Sequence, residues 1–164
     1  MKKLSLVLAI VLICSFFVFA LGSGSGETTS QGAGTAENSA KEDGKLGNYT
    51  VTIDSCRIAE DYEGKPIVIV KYTFTNVSGD EAQSFMWAFN DSVFQDGVSL
   101  NECYFVDDSA NYSSDNQSKE IKKGASIEVE VAYELNDTTT DIEVEVEELI
   151  SFNENKITKT FKIA

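Results

Sequence analysis

The sequence predicts an all-β fold, an antiparallel sandwich of about seven to nine short strands. Four observations predict it. The stretch Gly64–Asn76 opens on a turn-forming Gly-Lys-Pro and runs into dense β-branched and aromatic residues. Within it Val68, Val70, Tyr72 and Phe74 share one face at period two, while Lys71, Thr73 and Thr75 share the other. Its first half, Ile67 to Val70, is apolar on both faces, as a strand covered on both sides must be. Finally, no stretch keeps a sustained helical period, and Asp80 to Phe89 alone leaves room for a helical turn.

In chain order, Met1-Lys2-Lys3 is a basic flank before an apolar run from Leu4 to Leu21, the pattern of an export signal or an uncleaved anchor over residues 1–21. Val18-Phe19-Ala20 carries small residues at −3 and −1 for cleavage after Ala20. Cys14 lies within the apolar run behind the bulky Ile13, which does not suit lipidation. Residues 22–45 are Gly, Ser, Thr, Ala, Glu and Gln without apolar periodicity, a composition that cannot offset its ordering entropy and so predicts a flexible tether. The folded domain is then expected over residues 46–164, long enough to bury about two-thirds of its surface.

That domain opens with Asn48–Ile58, where Tyr49, Val51, Ile53 and Ser55 alternate with Thr50, Thr52, Asp54 and Cys56 as in a half-buried strand. Glu60–Gly64 is a polar hairpin loop into the central strand, and Thr75–Asp80 ends that strand in turn chemistry. Ser84–Phe89 and Ser92–Leu100 carry aromatics, Glu102–Val106 reads as another short strand, and Asp107–Lys119 as a long polar loop. Ile127, Val129, Val131, Tyr133 and Leu135 alternate with polar residues, as do Ile142, Val144 and Val146 with Glu143, Glu145 and Glu147. Lys156–Ile163 closes the domain as a final strand.

The blocks Asn48–Ile58, Gly64–Asn76, Phe94–Val98 and Ile121–Ala125, in this order and spacing, resemble domain of unknown function 5067. That resemblance implies an immunoglobulin-like sandwich in a secreted protein or lipoprotein of a Gram-positive bacterium, with no catalytic residues to carry over. Serine stands in Gly22–Gly26 where such proteins carry a lipidated cysteine.

The chain holds 13 Lys and Arg against 27 Asp and Glu, a net charge of −14, and no histidine. The acidity excludes nucleic acid and anionic membrane surfaces as partners, so membrane contact is expected through the N-terminal segment alone. Lack of histidine excludes Ser-His-Asp and Cys-His nucleophiles and the common His-bearing zinc sites, and no phosphate loop occurs. Asp107, Asp108 and Asp115, with Asn111 and Asn116, could gather oxygens around calcium, but their spacing matches no EF-hand loop. Glutamates two apart on a strand, about 7 Å, repel by only about 0.6 kcal/mol in water, so a solvated Glu face needs no metal. No cofactor, metal or catalytic residue is therefore expected.

Asn48, Asn76, Asn90, Asn111, Asn116 and Asn136 head Asn-x-Ser/Thr sequons that chance composition explains in a bacterial protein. Trp87 is expected in the core. Cys56 and Cys103, the cysteines left after signal removal, are expected to form a disulfide between the first strand and the strand near Glu102. The sequence thus predicts a monomeric, non-catalytic, extracytoplasmic binding or interaction module, secreted or tethered to the envelope, with an envelope protein or glycan as partner. The alternative is a carboxylate-based hydrolase of wall glycans, which needs two carboxylates about 5–10 Å apart in a cleft.

Overall fold

A computed structural model describes residues 42–151 and 155–163. The expected signal or anchor over residues 1–21 and most of the expected tether lie outside these residues. Two four-stranded antiparallel sheets face each other, so the predicted all-β sandwich is observed. The first sheet holds β1 (Glu42–Leu46), β2 (Tyr49–Glu60), β3 (Pro66–Asn76) and β6 (Ser126–Glu134) in that order. The second holds β5 (Val98–Ser99), β4 (Phe89–Gln95), β7 (Ile142–Glu148) and β8 (Lys156–Phe161). One helical turn, α1 (Phe85–Ala88), precedes β4 within the stretch where a helical turn was expected.

Strand β3 sits between β2 and β6, and Ile67, Val68, Ile69 and Val70 are all fully buried. Val68, Val70, Tyr72 and Phe74 point into the core between the sheets, where Tyr49, Phe74, Phe85 and Phe89 stack at centroid distances of 5.5 to 6.2 Å. Ile67 and Ile69 point outward into a second, smaller cluster with Ala132 and Cys103. Val106, Ala110 and Tyr112 pack on that cluster, so the segment from residue 101 to 119 covers the outer face of the first sheet. The same segment shields the free edge of β6: the side-chain amides of Asn116 and Gln117 donate to the Glu128 and Glu130 carbonyls, and Cys103 N donates to Ala132 O.

Each open side of the sandwich carries a polar tie. On one side a bulge between Ile53 and Ser55 in β2 interrupts the ladder. The buried Lys159 of β8 donates to the freed carbonyls of Ile53 and Asp54 at 2.7 and 3.0 Å, with its ammonium 4.8 Å over the Phe161 ring. On the other side the Tyr133 hydroxyl of β6 donates to the Asp91 carboxylate of β4. Burial raises the Asp91 carboxyl above the usual range, and the Tyr133 hydrogen bond works against that rise.

Four expectations need correction. Strand β1 lies in the stretch read as tether; it pairs with β2 through Leu46↔Tyr49, and a Cβ on Gly44 would sit 2.2 Å from Ile157. Glu102–Val106 is no strand and makes only isolated bridges, Val106 to Asp61 and Glu102 to Tyr133. Trp87 is 65% exposed on α1 rather than in the core. The structure does not join Cys56 to Cys103: both thiols are free. The bulge is the physical reason, because it shifts the alternation of β2 by one. Cys56 thereby faces the inter-sheet core, opposite Val70, while Cys103 packs in the outer cluster on the far face of the same sheet.

Candidate functional site

Apart from Trp87 on α1, the strongly exposed aromatics among the described residues lie on the β2–β3 hairpin and on the covering segment that runs beside it. Tyr62, Tyr104 and Phe105 are 65%, 74% and 69% exposed. Rings so large are ordinarily withdrawn from water, and in contact surfaces they carry much of the binding energy. Local chemistry holds them there. The buried Asp61 carboxylate accepts the backbone N–H groups of Glu63 and Lys65, both at 2.8 Å on one oxygen. Asp61 N donates to Lys65 O at 2.9 Å, and Gly64 takes φ +78°, closing the turn that presents Tyr62.

The covering segment runs alongside. Tyr62 N donates to Phe105 O at 3.1 Å and Asp107 N to Glu60 O at 3.2 Å. The Tyr62 and Phe105 rings meet edge to face, with centroids 5.8 Å apart and planes at 73°. They form a corner, not a flat tile. Beside it lies an open groove of about 340 Å³ lined by Arg57, Ile58, Ala59, Glu60, Ser109 and Ala110. Arg57 forks onto both carboxylate oxygens of Glu130, with Nη2 to Oε2 at 3.0 Å, and the hydrogen bond to Glu130 raises its pKa further. Its charge is therefore already matched.

Carboxylates frame the rings. Tyr62 donates to Glu63 at 3.1 Å and Tyr104 to Glu102 at 2.9 Å, and each hydrogen bond raises its phenol's pKa. Lys65 pairs with Glu63 at 2.6 Å, which holds that carboxyl below its usual range.

Of the residues singled out from the sequence, Asp107 borders the corner through its backbone bond to Glu60. Asp107 caps a 3-10 turn, and its hydrogen bonds with the Ser109 side chain and with Ser109 N, the latter at 2.9 Å, lower its pKa. Asn116 is engaged with Glu128 O and Lys119. Among the described residues no group of three or more Cys, Asp or Glu is placed to hold a metal ion. Glu143, Glu145 and Glu147 do line the outer face of β7, with Glu145 bonded to Lys156 at 2.5 Å and Glu147 to Asn90 at 3.0 Å. The hollow between them is about 20 Å³, far below a sugar ring. Asn76 heads a sequon yet is fully buried; its amide donates to Glu81 O and Ile121 O and accepts from Gly79 N. Sequence reasoning passed over Tyr62, Tyr104 and Phe105. The legible signal was a tyrosine between acids in a turn, Asp61-Tyr62-Glu63, where no core strand runs.

No curated protein matches the chain. Among solved structures, a candidate lipoprotein (ycdA) from Bacillus subtilis subsp. subtilis str. 168 aligns with TM-score 0.56 at 14% identity over 76% of this chain. The chain spans 39% of that protein's length. A candidate lipoprotein from Staphylococcus aureus subsp. aureus NCTC 8325 aligns with TM-score 0.53 at 19% identity, covering 75% of this chain and 93% of its own. A protein from Enterococcus faecalis solved by NMR gives TM-score 0.53 at 21% identity, over 74% and 90% of the two chains. At such identities the likeness is one of fold. The model of the family described as a domain of unknown function (DUF5067) matches residues 25–148, and the chain belongs to that family.

Proposed function

We propose that this protein is a non-catalytic, extracytoplasmic binding module of the cell envelope, which grips an envelope protein or glycan with the corner formed by Tyr62 and Phe105. The observation that carries the reading is that a fixed hairpin holds the Tyr62 ring out into solvent, where it meets the exposed Phe105 ring of the covering segment, with the exposed Tyr104 next to Phe105 in the chain. A buried carboxylate and two cross-segment backbone bonds fix the presenting turn, so little ordering entropy is lost on contact. The fold likeness to candidate lipoproteins supports an envelope location. The acidic face of β7 offers a hydrolase little: Glu145 and Glu147 are engaged and the hollow between them is too small for a sugar.

The test is retention of the chain by envelope fractions of its own cell, wall glycan and membrane assayed separately. Retention by either fraction, lost in Tyr62→Ser with Phe105→Ser, is the expected result. Retention by neither, or hydrolysis of wall glycan by the chain, overturns the reading.

A further inference from the structure

Resting on that reading, we infer that the aromatic corner takes a cationic partner, a protein segment bearing lysine or arginine side chains. The charge around the rings points to it. Glu60 lines the groove, Glu63 and Glu102 hold the two phenols, and Asp107 is joined to Glu60 through its backbone. Lys65 offsets Glu63 and Arg57 is forked onto Glu130, so neither cation balances Glu60, Glu102 or Asp107. The rim thus stays negative where the rings stand free.

An aromatic face attracts a cation through its quadrupole, and carboxylates around the ring strengthen that field. The T-shaped Tyr62–Phe105 pair turns the two faces toward different directions, so a side chain entering the corner meets one face and one edge. The open groove beside it, about 340 Å³, has room for the backbone of an extended segment next to the anchored side chain. A polyanion such as a phosphate-bearing glycan meets repulsion at the same rim. A second copy of this chain, with net charge −14, repels for the same reason.

The test uses the full chain and a labelled peptide of alternating lysine and serine, read by fluorescence anisotropy, beside the same peptide with every lysine acetylated. The lysine peptide should bind, and acetylation should weaken it at least about tenfold, as loss of the cation–π and carboxylate contacts requires. Glu60→Gln with Glu102→Gln should weaken binding about tenfold while the rings remain. Glu143→Gln with Glu147→Gln, on the outer face of β7, removes the same charge elsewhere and should leave binding unchanged. Equal binding of the acetylated peptide would overturn the inference. So would equal weakening by the β7 variant, which would mean that net charge alone attracts the peptide. If neither peptide binds while envelope fractions still retain the chain through Tyr62 and Phe105, the cationic partner falls and the binding module stands.

Discussion

Replacing Asp61 by alanine should loosen the hairpin that presents Tyr62, and the cost follows from its contacts. One carboxylate oxygen accepts two backbone N–H groups at 2.8 Å, and the side chain is buried. Hydrogen bonds to a charged acceptor contribute about 1.5–3 kcal/mol each, and donors on an exposed loop recover part of that from water. Relief of repulsion from Glu60 and Glu63 returns a few tenths more. Asp61→Ala should therefore cost about 2–3 kcal/mol, a fall of roughly 8–12 °C in the thermal midpoint of a domain this size. Asp61→Asn keeps a carbonyl oxygen where both donors already point, and should cost about 1 kcal/mol or less. Urea unfolding of the two variants measures the difference, and the nuclear Overhauser contact between the Tyr62 and Phe105 rings should weaken in the alanine variant alone. An alanine variant as stable as wild type, or an asparagine variant as costly as alanine, would refute the reasoning.

Three more outcomes follow. Burial raises the Asp91 carboxyl, so its ionised form weighs against folding above that raised pKa, and the penalty disappears as pH falls toward the unfolded value of about 3.9. Asp91→Asn should exceed wild type in stability at pH 7 by urea unfolding and converge with it near pH 4; an advantage that grows on acidification would contradict this. Non-reducing mass spectrometry should find Cys56 and Cys103 as thiols, with Cys56, pushed up to about 11 by burial against the opposing pull of Lys159, alkylated only after unfolding. Gly44→Val should destabilise by about 1–3 kcal/mol in the same unfolding assay, because its Cβ would meet Ile157 at 2.2 Å; an unchanged midpoint would detach β1 from the domain.

The central strands were legible because burial writes itself into period two. Ile67 to Val70 announced a strand covered on both faces, and the segment from residue 101 to 119 provides the outer cover. The alternating glutamates of β7 announced its solvent face in the same way. What failed to show is whatever depends on one residue's departure from pattern. A bulge after Ile53 turned Cys56 inward and away from Cys103, and no composition signals a bulge there. Strand β1 reads as tether because it is held by backbone pairing and by the absence of a side chain at Gly44. Lys159 reads as surface, yet the same bulge supplies the carbonyls that satisfy it inside. The aromatic corner joins residues more than forty apart through backbone bonds between irregular segments, where no periodicity exists to be read.

The most direct test of the account compares retention of three forms by whichever envelope fraction holds the wild-type chain. Tyr62→Ser with Phe105→Ser should abolish retention without changing the unfolding midpoint by more than about 1 kcal/mol in stability, since both rings are exposed. Trp87→Ser, which removes an equally exposed aromatic on α1, should be retained like wild type. Full retention of the double variant, or its loss in the Trp87 variant alone, would contradict the claim that the corner of Tyr62 and Phe105 is the binding site.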